Sequence, residues 1–258
     1  MNPDGVINGN YRCSLAGCDL NRRWKTPSKV LQPIIYQVKK MINDIHEERE
    51  CVLFCDLHGH SRRKNVFMYG CNFPKAPEET RLFPYMLSKL CPYFYFNYSK
   101  FGVQKSKDST ARVALFKDLK IPNIFTMESS FCGNDKGPHA GKHFTRASLE
   151  CVGRDLCRTL LLYCGLSVPE NINLNSEEEE KKEEEETKSP DSSAHQRTPP
   201  KKEITVVKKF KEDTFSVKQL LLKELTGNQE LIEEGNGSSS SGSDDLPSED
   251  NMEAEEIC

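Results

Sequence analysis

The feature that most constrains this chain is a break in composition near Leu166. Most of the hydrophobic residues lie before it. From Asn175 onward Glu, Lys, Ser and Pro dominate, and such a segment cannot bury enough apolar area to offset the entropy of ordering its backbone. The expectation is one globular unit over residues 1–166 and a mostly disordered acidic, Ser-rich tail over 167–258. Within the tail, Thr214 to Leu225 keeps a helix-like pattern through Phe215, Val217, Leu221 and Leu225, suited to docking on another surface.

The formal net charge of −3 conceals the same division, because acid collects in the tail while the first part carries many Lys and Arg. Clusters such as Arg62-Arg63-Lys64, or Lys105 and Lys107 with Arg112, would attract an acidic partner or simply form a solvated face. None of the common nucleic-acid-binding modules is visible, so no nucleic-acid partner is expected. Most of the eleven cysteines, among them Cys51, Cys55, Cys151, Cys157 and Cys164, sit inside apolar runs with no Cys-x-x-Cys pair, which predicts reduced, buried thiols. No run is long enough to span a bilayer and no signal peptide precedes the chain, so the expectation is a cytoplasmic protein with no membrane partner.

Residues 2–24 are rich in Gly, Asn and Arg and read as loop. Pro33 to about Arg49 places Ile35, Val38, Ile42 and Ile45 at helical spacing. The short apolar run Cys51–Leu57 predicts a strand buried on both faces, ending at His58. Val66–Tyr69 predicts a second strand, Glu78–Leu90 a helix, and Ile121–Met127 a strand that delivers Glu128 at its end. Thr145 is a suitable N-cap for a helix reaching Cys164, with Leu149, Val152, Leu156, Leu160 and Tyr163 as its apolar face. Helices alternating with strands predict an α/β fold: a mixed, mostly parallel sheet flanked by helices.

Three groups carry chemistry. In Asp56-Leu57-His58-Gly59-His60-Ser61 a histidine at a strand end suits metal ligation, although the pair also reads as loop histidines hydrogen-bonded to backbone. Glu128, leaving an apolar strand, suits a general base, or a salt-bridged terminus. Asp19-Leu20-Asn21-Arg22-Arg23-Trp24, with Arg12 nearby, suits a grip on a free carboxylate, or a structural arginine network around Trp24.

Taken in order, Asn2-Pro3-Asp4-Gly5, Asp19-Leu20-Asn21-Arg22, a strand ending in His58 and a later strand bearing Glu128 resemble the zinc carboxypeptidases. The wording Gly9-Asn10-Tyr11-Arg12-Cys13-Ser14-Leu15-Ala16-Gly17, His58-Gly59-His60-Ser61, Phe67-Met68-Tyr69-Gly70-Cys71 and Thr126-Met127-Glu128 resembles the cytosolic branch, which removes glutamates from tubulin and other acidic tails. The resemblance covers roughly Asn2 to Cys164 and implies the C-terminal portion of the catalytic domain.

It implies His58 as a zinc ligand with His60 as backup, and Glu128 as the catalytic base. It implies Arg12 as the group that stabilises the oxyanion, and Asn21 and Arg22 as holders of the substrate's terminal carboxylate. Arg112 would line the glutamate pocket, with Lys105 and Lys107 toward the incoming acidic chain. The His-x-x-Glu motif that supplies two further zinc ligands in this family does not occur, so the catalytic domain is expected to be incomplete at its N-terminus. The implied function is a zinc (Zn2+) metallocarboxypeptidase acting on acidic polypeptide tails such as tubulin, in the cytoplasm or on microtubules or cilia. The alternative is a non-catalytic module that binds such tails.

Overall fold

The computed structural model describes residues 1–166 and 214–233. A short helix α1 (Pro3–Ile7) and a 3-10 turn (Leu20–Arg22) lie in the segment expected as loop. They are followed by α2 (Pro33–Glu48), β1 (Phe54–His60), β2 (Val66–Tyr69), α3 (Pro77–Leu90), α4 (Ala111–Leu119), β3 (Ile124–Ser130) and α5 (Arg146–Tyr163). Beyond the gap come α6 (Thr214–Gly227) and α7 (Gln229–Glu233). The expected disorder of 167–213 and 234–258 falls outside the described residues, while 214–233 within the tail is helical.

The strands form one mixed sheet in the order β1-β3-β2, with β1 parallel and β2 antiparallel to β3. Both longer strands begin three residues later than their apolar runs. The Asn123 carbonyl accepts the first ladder bond from the Phe54 N–H, and the Asn123 amide reaches back to the Val52 carbonyl, so Val52 and Leu53 are lead-in rather than strand. His58 and Glu128 therefore lie inside the ladder instead of beyond it. The expectation that the first strand is buried on both faces is not met: β1 pairs with β3 alone among the described residues and is half-buried, with Leu57 exposed.

Alternation along the strands assigns a core to each face. Cys55, Phe125, Met127, Val66 and Met68 face α3 and α5, in a cluster that also takes in Phe83, Leu87 and Val152. Phe54 and Ile124 face the other way, toward Trp24, Ile35 and Leu115 from the N-terminal loop, α2 and α4. Ile35 is fully buried at the start of α2, whereas Ile45 near its end is exposed. Lys39 of α2 donates to the Trp24 carbonyl at 2.7 Å, which fixes the loop over this second core.

Helix α5 has the expected cap, with Thr145 and Ser148 each bonding the other's backbone N–H. It closes at Gly165 (φ 74°), where the Gly165 N–H bonds Leu162 and the Leu166 N–H bonds Leu161. Of the expected apolar face, Val152 is buried and Leu156, Leu160 and Tyr163 pack half-buried against the core. Ala147, Cys151, Val152, Asp155, Thr159 and Leu162 are buried, while Leu149 is exposed. Asp155 is admitted to the interior because Arg154 and Arg158 meet its carboxylate at 3.0 and 3.7 Å. The described cysteines carry free thiols, but Cys157 and Cys164 are exposed and Cys51 and Cys55 half-buried, so of the five expected inside only Cys151 is buried.

Helix α6 lies on α3 and α5 through Val217, Leu221 and Leu225. Its Glu224 accepts from the Tyr85 hydroxyl at 2.6 Å and from Lys89 at 2.8 Å, and Lys218 reaches the Tyr163 carbonyl at 3.2 Å.

Candidate functional site

His58 and Glu128 are Cα partners across the parallel β1–β3 pair, so their side chains leave the same face on strands about 4.8 Å apart. Asp56 and His60 share that face on β1, Thr126 and Ser130 on β3, and Phe67 and Tyr69 on β2, with Phe67 opposite Glu128. At the amino ends of β1 and β3 this face is covered by the second core, leaving the carboxyl ends as the accessible part. That is where α/β sheets gather ligands. Glu128 is nevertheless 9% exposed, a carboxylate largely removed from water.

The Asp56 carboxylate lies 2.8 Å from His58 Nε2. A neutral imidazole so placed carries its proton on Nε2 and keeps its lone pair on Nδ1, the arrangement in which a histidine can ligate a metal while a carboxylate orients it. His60 is used differently. Its Nδ1 accepts from the backbone N–H groups of Arg62 and Arg63 at 3.2 and 2.9 Å, and its ring meets Phe67 edge-on at 5.3 Å. His60 is thus hydrogen-bonded to backbone, as the alternative reading had it, but from the last residue of β1 rather than from a loop. The part played by Asp56 is signalled in the sequence only by the spacing of two that puts residues 56, 58 and 60 on one strand face.

The arginine-bearing loop is built around Asp19. Its carboxylate accepts from the Asn21 N–H at 2.8 Å and pairs with Arg12 at 3.3 Å. The Asn21 side-chain oxygen accepts from the Ala111 N–H at 3.0 Å, which joins this loop to the first residue of α4. Asn21 is thereby bonded to the residue that precedes Arg112 in α4.

Arg112 is 7% exposed. Its guanidinium donates to the Gly70 carbonyl, approaches Cys71 Sγ at 3.6 Å and lies over the Tyr69 ring at 5.9 Å. No carboxylate pairs with it among the described residues, so a buried positive charge stands at the β2 edge of the face that carries Glu128. The Cys71 thiol is pushed up by burial, with Arg112 pulling against that shift. Lys105 is solvent-exposed on a 3-10 turn and Lys107 half-buried.

A catalytic zinc takes three protein ligands and leaves one position open. Among the described residues no group of three or more His, Cys, Asp or Glu side chains is arranged to hold a metal, so His58 does not complete such a site with its neighbours here.

No protein-family model matches the chain. It is 49% identical over 171 residues to cytosolic carboxypeptidase 3 of Mus musculus, a match covering 64% of this chain and 17% of that protein. With cytosolic carboxypeptidase 2 of Mus musculus the identity is 50% over 167 residues, covering 64% of this chain and 19% of the relative. With human cytosolic carboxypeptidase 1 it is 41% over 192 residues, covering 68% and 16%. The chain thus spans less than a fifth of the length of these relatives.

Among solved structures, a metallo-carboxypeptidase from Pseudomonas aeruginosa, in complex with (2-guanidinoethylmercapto)succinic acid, aligns with a TM-score of 0.53 and 28% identity over 62% of this chain and 43% of that one. One from Burkholderia cenocepacia aligns with a TM-score of 0.54 at 22% identity, over 64% of this chain and 43% of that one, and shows the shared fold.

Proposed function

We propose, on the premise that about two thirds of this chain is a carboxypeptidase segment in sequence and fold, that it supplies the substrate-gripping and proton-transfer half of a site that removes glutamate from acidic polypeptides. The observation that carries this reading is the buried Arg112 guanidinium, which pairs with no carboxylate among the described residues and lies over the ring of Tyr69, a residue on the sheet face that carries Glu128. A glutamate side chain is the complementary ligand, and a guanidinium can hold its carboxylate through two parallel hydrogen bonds.

Arg22 and the Asn21 amide nitrogen then hold the terminal carboxylate, since the Asn21 oxygen is already committed to α4. Glu128 takes a proton from the water that attacks the last peptide bond and returns it to the departing amine, as a carboxylate screened from solvent is suited to do. Arg12 stabilises the oxyanion formed on the scissile carbonyl. The cofactor class is zinc, with His58 as one ligand; the remaining donors are not among the described residues. Acidic tails, tubulin among them, are the expected partners, in the cytoplasm and on microtubules or cilia.

A second reading, a module that binds acidic tails without cleaving them, is favoured by the incomplete donor set. Placing residues 1–166 in the mouse relative in place of its corresponding segment, and following glutamate release from a Glu-ended peptide, separates the two. The expected result is retained release, lowered about 10²–10⁴-fold in kcat by Glu128→Gln and raised in KM by Arg112→Ala. Arg112-dependent binding with no release assigns the second reading. Binding indifferent to Arg112 rejects both.

A further inference from the structure

A polar cavity whose lining includes neither His58 nor Glu128 lies between the hairpin that follows β3 and the first turn of α5. It encloses about 260 Å³ and is lined by Asn134, His139, Lys142, His143, Thr145 and Ser148, with Tyr93 as its wall. We propose that it is a binding site for a compact oxyanion, a phosphate or carboxylate group.

Among the described residues the lining holds the Lys142 ammonium, the His139 and His143 imidazoles and no carboxylate. At its floor Asn134 is 2% exposed and its amide nitrogen has no hydrogen-bond partner. The orientation of that amide is fixed by its neighbours. The Asn65 oxygen accepts from the backbone N–H groups of Asp135 and Lys136, which leaves the Asn65 nitrogen to face Asn134. Asn134 must answer with its oxygen, at 3.0 Å, and its own nitrogen remains a buried donor without an acceptor. Such a donor costs about 1–3 kcal/mol when left unmet, and an anion in the cavity would meet it.

The backbone contributes in the same sense. The capping box occupies the N–H groups of Thr145 and Ser148, whereas those of Arg146 and Ala147 stand outside the helical ladder at the positive end of an 18-residue helix. The hairpin is held rigidly: the Asn134 N–H bonds the Lys142 carbonyl at 2.9 Å, the Phe144 N–H bonds Cys132 at 2.9 Å, and His139 stacks on Tyr93 at 4.5 Å. At Gly133 a Cβ would come within 2.1 Å of the Lys142 carbonyl, so this close approach requires glycine. The walls are therefore in place before any ligand arrives, which limits the ordering cost of binding.

Calorimetry of the full chain with inorganic phosphate, against chloride at matched ionic strength, tests the site. One saturable phosphate is expected. Lys142→Gln, at an exposed position, should weaken it about tenfold, the loss of one charge-assisted hydrogen bond. Asn134→Asp keeps the acceptor for Asn65 but replaces the buried donor, and should abolish binding. Arg112→Ala should leave phosphate affinity unchanged.

Triglutamate distinguishes the source of the group. Displacement of phosphate by triglutamate assigns a peptide carboxylate, and retention of phosphate against an excess assigns a phosphate group. No saturable binding of either anion, phosphate affinity unmoved by both Lys142→Gln and Asn134→Asp, or affinity lost with Arg112→Ala would each overturn the assignment.

Discussion

Cys55 and Asp56 are adjacent on β1 yet face opposite sides of the sheet, one toward the α3–α5 core and the other beside His58. Burial, with the Asp56 charge adding to it, pushes the Cys55 thiol up to about 12. Its reactive thiolate is therefore almost absent at pH 8, while Cys132, Cys157 and Cys164 are solvent-exposed. Brief alkylation with iodoacetamide at pH 8, read by peptide mass spectrometry, should label those three and spare Cys55; early labelling of Cys55 would mean that β1 opens readily. At Gly133 the expected cost of an added methyl is about 1–3 kcal/mol, because the obstructing atom is a backbone carbonyl that cannot swing aside. Denaturant unfolding of Gly133→Ala measures it, and the same methyl at Gly59, where the obstacle is the exposed Phe131 ring, should cost much less.

Helix α6 shows how a helix can be recognised before its destination is. The spacing of Val217, Leu221 and Leu225 predicts an apolar stripe, but nothing in the chain names α3 and α5 as the surface it covers. Leu225 is fully buried, and Leu225→Ala should lower stability by about 2–4 kcal/mol, expressed first as lost hydrogen-exchange protection in α6 alone. Hydrogen bonds from Lys89 and then Tyr85 hold the Glu224 carboxyl below its ordinary range. A depressed acid contributes stability above its unfolded pKa and loses it as pH falls through the folded one. Protection of α6 should therefore decline in the acid range below the usual carboxylate pKa, and Glu224→Gln should flatten that decline; an unchanged profile would assign the docking to apolar contacts alone.

At the scale of the whole molecule, two cores on opposite faces of one sheet should unfold together. The single tryptophan, Trp24, is 1% exposed in the core on the α2–α4 side, so its fluorescence reports one core while far-ultraviolet dichroism reports the helices on both. Coincident midpoints are expected, and Trp24→Ala should cost about 3–5 kcal/mol; separated midpoints would show two cooperative units.

The helices and the mixed α/β character were readable because apolar spacing and Pro or Thr at helix starts act locally, as at Pro33 and Thr145. Strand ends were not, since the limits of β1 and β3 follow from their mutual pairing through Asn123 rather than from either run by itself. Most of the apolar face of α5 follows from periodicity, but the burial of Asp155 depends on arginine partners that periodicity does not reveal. His58 and Glu128 could be picked out as candidates, whereas the enclosure of Arg112 and the orienting carboxylate of Asp56 depend on tertiary contacts.

The covalent continuity between α5 and α6 has one further consequence. A helix that comes off its surface stays tethered to it, at a local concentration far above that of a dilute free peptide. A separate peptide with the sequence of Thr214–Gly227 would have to approach that concentration before displacing its tethered counterpart. The α3–α5 surface is thus selective by connectivity: dilute competitors of equal affinity are turned away, and cutting the chain between Leu166 and Thr214 would be enough to admit them.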